Sequence, residues 1–343
     1  MPMKELLIAK TKLPKSLFIV GAIAVAFFVI VVCVYASFFS APQSKAELEQ
    51  FTITIGNDDS KEIAGQLKEQ GFIKNETAFQ IAISGLKGIN SVCVDCIMSG
   101  AYKISKSMNV WQIAKVFRQG PYMKWVIIPE GLRKEQIAEI LAQTLDWNEQ
   151  EKSDWITKYT AMEYDYLEGV YFPDTYLIPI KETGLEIAQR FINKFNEKFT
   201  PYSDKFIKEN IKWTTALKIA SIIQREAGGK DDMPLIAGIV WNRLLNDMKL
   251  EVDATLQYAR GDTGNGWWFP ISVVDKQIDS EYNTYLYKGL PPHPIANPGI
   301  DAIEAVLNPT ETKCFYYLHD NDRNIHCAET YEEHLENIET YLK

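Results

Sequence analysis

A chain of 343 residues, 46% hydrophobic and 24% charged, has globular composition and enough length for two domains beyond any anchor, which excludes a purely repetitive or disordered polypeptide. Its formal net charge of -9, with no Lys/Arg block beyond the N-terminal lysines, argues against nucleic acid as a partner. An acidic surface suits a neutral or mixed-charge polymer at least as well.

Residues 17–39 carry no charge and are long enough, at about 1.5 Å per residue, to cross a hydrocarbon core of roughly 30 Å. They read as an uncleaved membrane anchor, because no Ala-x-Ala site follows them. Lys4, Lys10, Lys12 and Lys15 precede the run, so loop charge keeps residues 1–16 in the cytoplasm and sends the rest across. Residues 40–50, with Pro42 and Ser44, read as a linker.

Three similar units follow, beginning at Phe51, Ala101 and Lys124. Each is a β-rich run, a polar turn and a helix bearing an Ile-Ala pair: Ile63-Ala64, Ile113-Ala114 and Ile137-Ala138. The pattern predicts an α+β domain over 51–145 with one small core. The middle unit resembles a LysM module through Tyr102, Val110, Trp111, Ile113 and Ala114, which implies a strand-helix-helix-strand, glycan-binding fold; a plain packing domain is the alternative. Cys93 and Cys96 lie in a loop-like stretch outside the membrane and are expected to form a local disulfide rather than a redox pair. Cys33 falls within the span. Cys314 and Cys327 are left to bridge or to stay buried; a zinc site with His319 and His326 fits residue type but no common spacing.

From residue 146 to 343 a second, aromatic-rich α+β domain is expected. Glu168, Tyr171, Phe172, Pro173, Asp174 and Tyr176 read as a shaped loop beside a site, and the stripe from Leu185 to Phe195 as a core helix. Ile219, Ile222 and Ile223 mark one helical face, and Glu226 falls on that same face, one residue short of Gly228 and Gly229. A carboxyl that ends a buried stripe at the negative end of a helix has its pKa pushed upward. A carboxylic acid held protonated near neutral pH can hand a proton to a departing glycosidic oxygen, so Glu226 is the candidate acid. The bland alternative is an ion pair with Arg225, Lys218 or Arg243. Asp231, Asp232 and Pro234 then start a second helix to Leu245, making a helical hairpin around Glu226.

These residues, with Asn242-Arg243-Leu244, Asp253-Ala254-Thr255, Tyr258, Tyr282-Asn283-Thr284-Tyr285, Gly289-Leu290-Pro291-Pro292 and Asn297-Pro298-Gly299, resemble the YceG-like family of MltG-type endolytic murein transglycosylases. His326 and His334 resemble histidines of the same family. The sequence departs from the family at Gln224, Ala227, Ala254 and His293. Trp267 and Trp268 either stack on sugars or close a core.

The resemblance implies that Glu226 is the catalytic acid and then the base, as the sugar's own C6 hydroxyl attacks its anomeric carbon and a 1,6-anhydro end forms. It implies substrate contacts from Asp253, Asn283, Tyr285, Arg243, Thr255 and Asp174, and no metal or cofactor. It also implies peptidoglycan strands as substrate, strand termination or release as the task, and synthases as partners at the cell membrane. The rival readings are a non-catalytic, membrane-tethered glycan-binding scaffold and a hydrolase pairing Glu226 with Asp253 or Asp174.

Overall fold

The computed structural model describes residues 15–56, 59–85, 97–160 and 168–343, so Cys93 and Cys96 lie outside the described residues. The chain divides into two compact units, Met1–Lys124 and Trp125–Lys343.

The first unit begins with α1, Lys15–Phe38, whose segment Ile19–Phe38 is long and apolar enough to cross a membrane. There follow β1 (Leu48–Ile53), α2 (Ser60–Glu69), α3 (Glu76–Gly85), β2 (Gly100–Ser105) and α4 (Val110–Gln119). Strands β1 and β2 pair antiparallel with Phe51 opposite Tyr102. Alternation turns Phe51, Ile53, Tyr102 and Ile104 into the core, where they meet Ile63 and Ala64 of α2 and Ile113, Ala114 and Phe117 of α4. Asp59 caps α2, and Asn109 with Gln112 forms a capping box on α4. The Ile-Ala pairs are thus the buried stripes of their helices, the small Ala letting a strand come close.

The third unit does not join that core. Met123 of β3 (Met123–Ile127) lies opposite Ala101, but from Trp125 onward the chain belongs to the second unit. There β3 neighbours β4 (Thr175–Pro179), and α5 (Lys134–Leu145) buries Ile137, Ala138, Leu141 and Leu145 against Trp155 and Phe191. The boundary expected at 145/146 therefore falls at 124/125. A β-rich run followed by a helix looks alike in sequence whichever core receives it.

The second unit continues with α6 (Glu149–Asp154), a π turn (Trp155–Tyr159), α7 (Gly184–Lys208), α8 (Trp213–Glu226), α9 (Met233–Leu245) and α10 (Asp253–Arg260). A short 3-10 turn (Asp275–Gln277), α11 (Ile300–Leu307), β5 (Tyr316–His319), β6 (Ile325–Ala328) and α12 (Tyr331–Tyr341) complete it. Helix α8 is its centre: Ala216, Leu217, Ile219, Ala220, Ile222 and Ile223 are fully buried, and α7, α9, α10 and α11 all pack on it. A helix buried on several sides has nowhere to put a polar group except its ends. Two exceptions bind the loop before α11: Ser221 Oγ accepts from Ile295 N at 3.0 Å, and Gln224 Oε1 accepts from Gly299 N at 2.9 Å.

The expected aromatic loop at 168–176 ends in strand β4, and Tyr171, Phe172 and Tyr176 are buried in the core rather than set beside a cleft. The expected core helix runs further than its stripe, to Lys208, through Pro201. Cys314 and Cys327 form a disulfide across the antiparallel β5–β6 hairpin, which removes both thiols from any zinc site.

Candidate active site

Glu226 is the last residue of α8, and Ala227 leaves the helix in extended conformation. The two following glycines do not stop the helix by a left-handed turn. Instead the carboxylate of Asp232 accepts the N–H groups of Gly228 and Gly229, at 2.8 and 3.2 Å, and draws the chain directly into α9. Half-buried Glu226 lines a cleft of about 310 Å³, whose walls also include Asp253, Glu251, Arg243, Tyr285, Tyr317 and His334.

Tyr317 donates its hydroxyl to Glu226 Oε2 at 2.7 Å, and the Ala254 N–H at the start of α10 also bonds the carboxylate. Burial pushes the Glu226 carboxyl above the usual range. Tyr317 opposes that shift, the charge of Asp253 adds to it, and Ala254 N–H and His319 oppose it. Its two ends of helix act against each other too: the α8 C-terminus disfavours an anion and the α10 N-terminus favours one. The result is a group able to carry a proton and to release it.

Asp253 enters the cleft from the first turn of α10 and accepts a hydrogen bond from the Tyr285 hydroxyl. Burial, then this bond to Asp253, pushes the Tyr285 phenol well up, so it remains a donor. Behind this pair the structure is a buried polar lattice. Thr255 Oγ1 donates to Val252 O at 2.7 Å and bonds Thr284 Oγ1, which accepts from Val252 N. Asn283 donates to Lys276 O and Ile278 O and accepts from Tyr285 N at 3.0 Å. Both Thr255 and Asn283 are fully buried, and their hydrogen bonds go to the chain around the loop that carries Tyr285.

Arg243 borders the cleft, but its guanidinium is committed to the chain itself, to three carbonyls and to the Glu251 carboxylate at 3.3 Å. Nε donates to Phe315 O at 2.6 Å, and Nη1 donates to Lys249 O and Leu250 O at 3.0 and 2.8 Å. On the same helix Asn242 Nδ2 donates to Thr312 O and Cys314 O. Gly238 lets the Thr310 carbonyl approach where any Cβ would collide with it. The run from Gly238 to Arg243 is therefore a strap that lays residues 310–315 along α9 and delivers β5 to the cleft.

Asp174 stands apart from these residues. Its carboxylate accepts from Thr175 N and lies 4.0 Å from Lys194. Both tryptophan rings are covered by arginines: the Arg225 guanidinium lies over Trp268 at 3.9 Å and the Arg133 guanidinium over Trp267 at 4.4 Å. Trp268 Nε1 further donates to Gln136 Oε1. No sequence motif singles out Tyr317, or the Asp232–His319 contact of 2.7 Å at the same turn. Tyr317 and His319 are two apart on one strand and face the same way; nothing in their local pattern says which helix end they meet.

Against known proteins, the model of the YceG-like family matches residues 51–340. An endolytic murein transglycosylase of Bacillus subtilis is 29% identical over 331 residues, spanning 90% of this chain and 89% of the relative. A second protein so named, from Streptococcus pneumoniae, is 27% identical, and the match spans 84% of this chain and 58% of that relative. The crystal structure of a YceG-like protein of Listeria monocytogenes, 27% identical, superposes with a TM-score of 0.56 over 85% of this chain and 99% of that one. The chain belongs to the YceG-like family.

Proposed function

We propose that this protein is a membrane-anchored lytic transglycosylase that cuts within peptidoglycan glycan strands, with Glu226 as acid and base. The observation that carries the reading is the Glu226 carboxyl at the end of a buried helix, bonded by Tyr317 and raised in proton affinity by burial. The relatives from Bacillus subtilis and Streptococcus pneumoniae, both endolytic murein transglycosylases, support it. Glu226 protonates the glycosidic oxygen as the bond from C1 of the muramoyl sugar opens. The C6 hydroxyl then bonds C1 and returns its proton to the carboxylate. No water is consumed, and the new end is a 1,6-anhydro sugar. Asp253 and Tyr285, bordering the same cleft, are the residues proposed to hold the sugar as positive charge develops at C1. The apolar helix Ile19–Phe38 serves as anchor, and the lysines before it favour a cytoplasmic N-terminus. The LysM likeness lies on β2 and α4, and a glycan-holding role for the first unit is proposed on that likeness.

A second reading has one observation in its favour: Asp253 shares the cleft and would make a two-carboxylate hydrolase with Glu226. Digestion of murein in oxygen-18 water, followed by mass spectrometry, separates the two. Anhydro ends without label are expected; labelled reducing muramoyl ends would establish the hydrolase instead.

A further inference from the structure

We infer that Tyr317 is the positioning residue of Glu226, fixing which carboxyl oxygen meets the glycosidic bond; this rests on Glu226 being the acid. A glutamate at the last position of a helix has three side-chain torsions and no following turn to pack against, so its carboxyl has to be held from elsewhere. The Tyr317 hydroxyl does so at 2.7 Å on Oε2, which leaves Oε1 as the oxygen to present a proton.

Tyr317 is itself a rigid support. It pairs with Cys327 in the β5–β6 ladder, the hairpin is closed by the Cys314–Cys327 disulfide, and the strap on α9 fixes the chain leading into it. Two residues on, His319 Nε2 meets Asp232 Oδ2 at 2.7 Å, and Asp232 holds the N–H groups of Gly228 and Gly229. One strand thus grips both the side chain of Glu226 and the main chain that follows it. Gly228 permits this: a Cβ there would crowd the His319 ring at 3.1 Å.

Other charged or titratable groups surround the carboxyl: Arg225 on its own helix, Arg243 on α9, Glu251 and Asp253 at α10, Tyr285 in its loop, His319 on β5 and His334 on α12. They act on it through space, whereas Tyr317 and the Ala254 N–H bond it directly. Burial and the Glu226 charge keep the Tyr317 phenol protonated far above its ordinary value, so it orients the acid without exchanging a proton with it. Its hydrogen bond favours the carboxylate, so its loss raises the proton affinity of Glu226.

The test is the pH dependence of glycan-strand cleavage by the detergent-solubilised full chain. Loss of rate at high pH follows deprotonation of Glu226. Tyr317→Phe, which removes one oxygen, is expected to lower kcat by about tenfold to a hundredfold with KM within about twofold. Its alkaline limb should move up by about one pH unit. Replacing Tyr317 by 3,5-difluorotyrosine, a stronger donor of similar size, should move that limb down. A Phe variant with the wild-type kcat, or a lowered kcat with an unmoved limb in both variants, overturns the inference and leaves Tyr317 as packing. Glu226→Gln in the same assay keeps the two readings separate, because its retained activity would remove the acid itself.

Discussion

Asn297 ties two distant segments together with both ends of one amide: Nδ2 donates to Glu168 Oε1 at 2.5 Å, and Oδ1 accepts from Gly169 N and Tyr171 N. Glu168 in turn accepts the N–H of Lys134 at the start of α5, at 3.0 and 3.1 Å to its two oxygens. Both Glu168 and Asn297 are completely buried. Glu168-Gly169 and Asn297-Pro298-Gly299 are thus two halves of one internal joint.

Burial pushes the Glu168 carboxyl up to about 8, with the Glu135 charge adding and the bonds from Lys134 and Asn297 opposing. Between its unfolded value of 4.5 and its folded value of about 8, the folded chain keeps a proton that the unfolded chain has lost. This contribution to stability is therefore full below pH 4.5 and declines as pH rises through 8. Thermal unfolding across that window should show the decline, and Glu168→Gln should flatten it while lowering stability at acid pH by about 1–3 kcal/mol, since the amide N–H₂ faces donors. An unchanged slope in the variant would place the titration elsewhere.

Glu226→Gln keeps the shape of the side chain and its bond from Tyr317. It should fold as the wild type does, by circular dichroism, and lose turnover by about a thousandfold or more, as expected when an essential proton donor is removed. Turnover within tenfold of wild type would move the search to Asp253. Asp253→Asn should retain the bond from Tyr285 and show a smaller loss.

Asn283 was expected to touch substrate, yet its amide is spent on Lys276 O, Ile278 O and Tyr285 N. Asn283→Ala should cost about 2–3 kcal/mol in chemical denaturation, because buried main-chain groups lose their partners. At a temperature where the variant is folded, KM for glycan strands should change little. A large rise in KM without loss of stability would restore the direct contact.

The Cys314–Cys327 bridge closes a separation of 13 residues. Replacing both cysteines by serine should lower stability by about 3 kcal/mol, the chain-entropy value for a loop of this size. If Tyr317 depends on the hairpin, turnover should fall as well, before global unfolding. Unchanged unfolding in the double variant would mean that the strap on α9 holds the hairpin alone.

Much of the organisation is written in local order. The uncharged run near the N-terminus, the Ile-Ala stripes and the buried face of α8 follow from periodicity, which depends only on neighbours three and four residues apart. Glu226 was legible for the same reason: a carboxyl on an apolar stripe just before two glycines is a local contradiction that burial resolves by raising its pKa. Asp253 and Tyr285 stand in two separate motifs of the sequence, and the fold brings them into one cleft.

What periodicity does not encode is which atoms spend their hydrogen bonds on the chain itself. Asn283, Thr255 and Arg243 look like substrate ligands in sequence because polar residues in a motif read alike whether they face a sugar or a carbonyl. The membership of the third repeat in the larger core, the isolation of Asp174 beside Lys194, and the meeting of Tyr317 with Glu226 are decided by contacts between segments far apart in the chain. Such contacts form only when the whole core closes, since a strand's two faces are equivalent until something buries one of them.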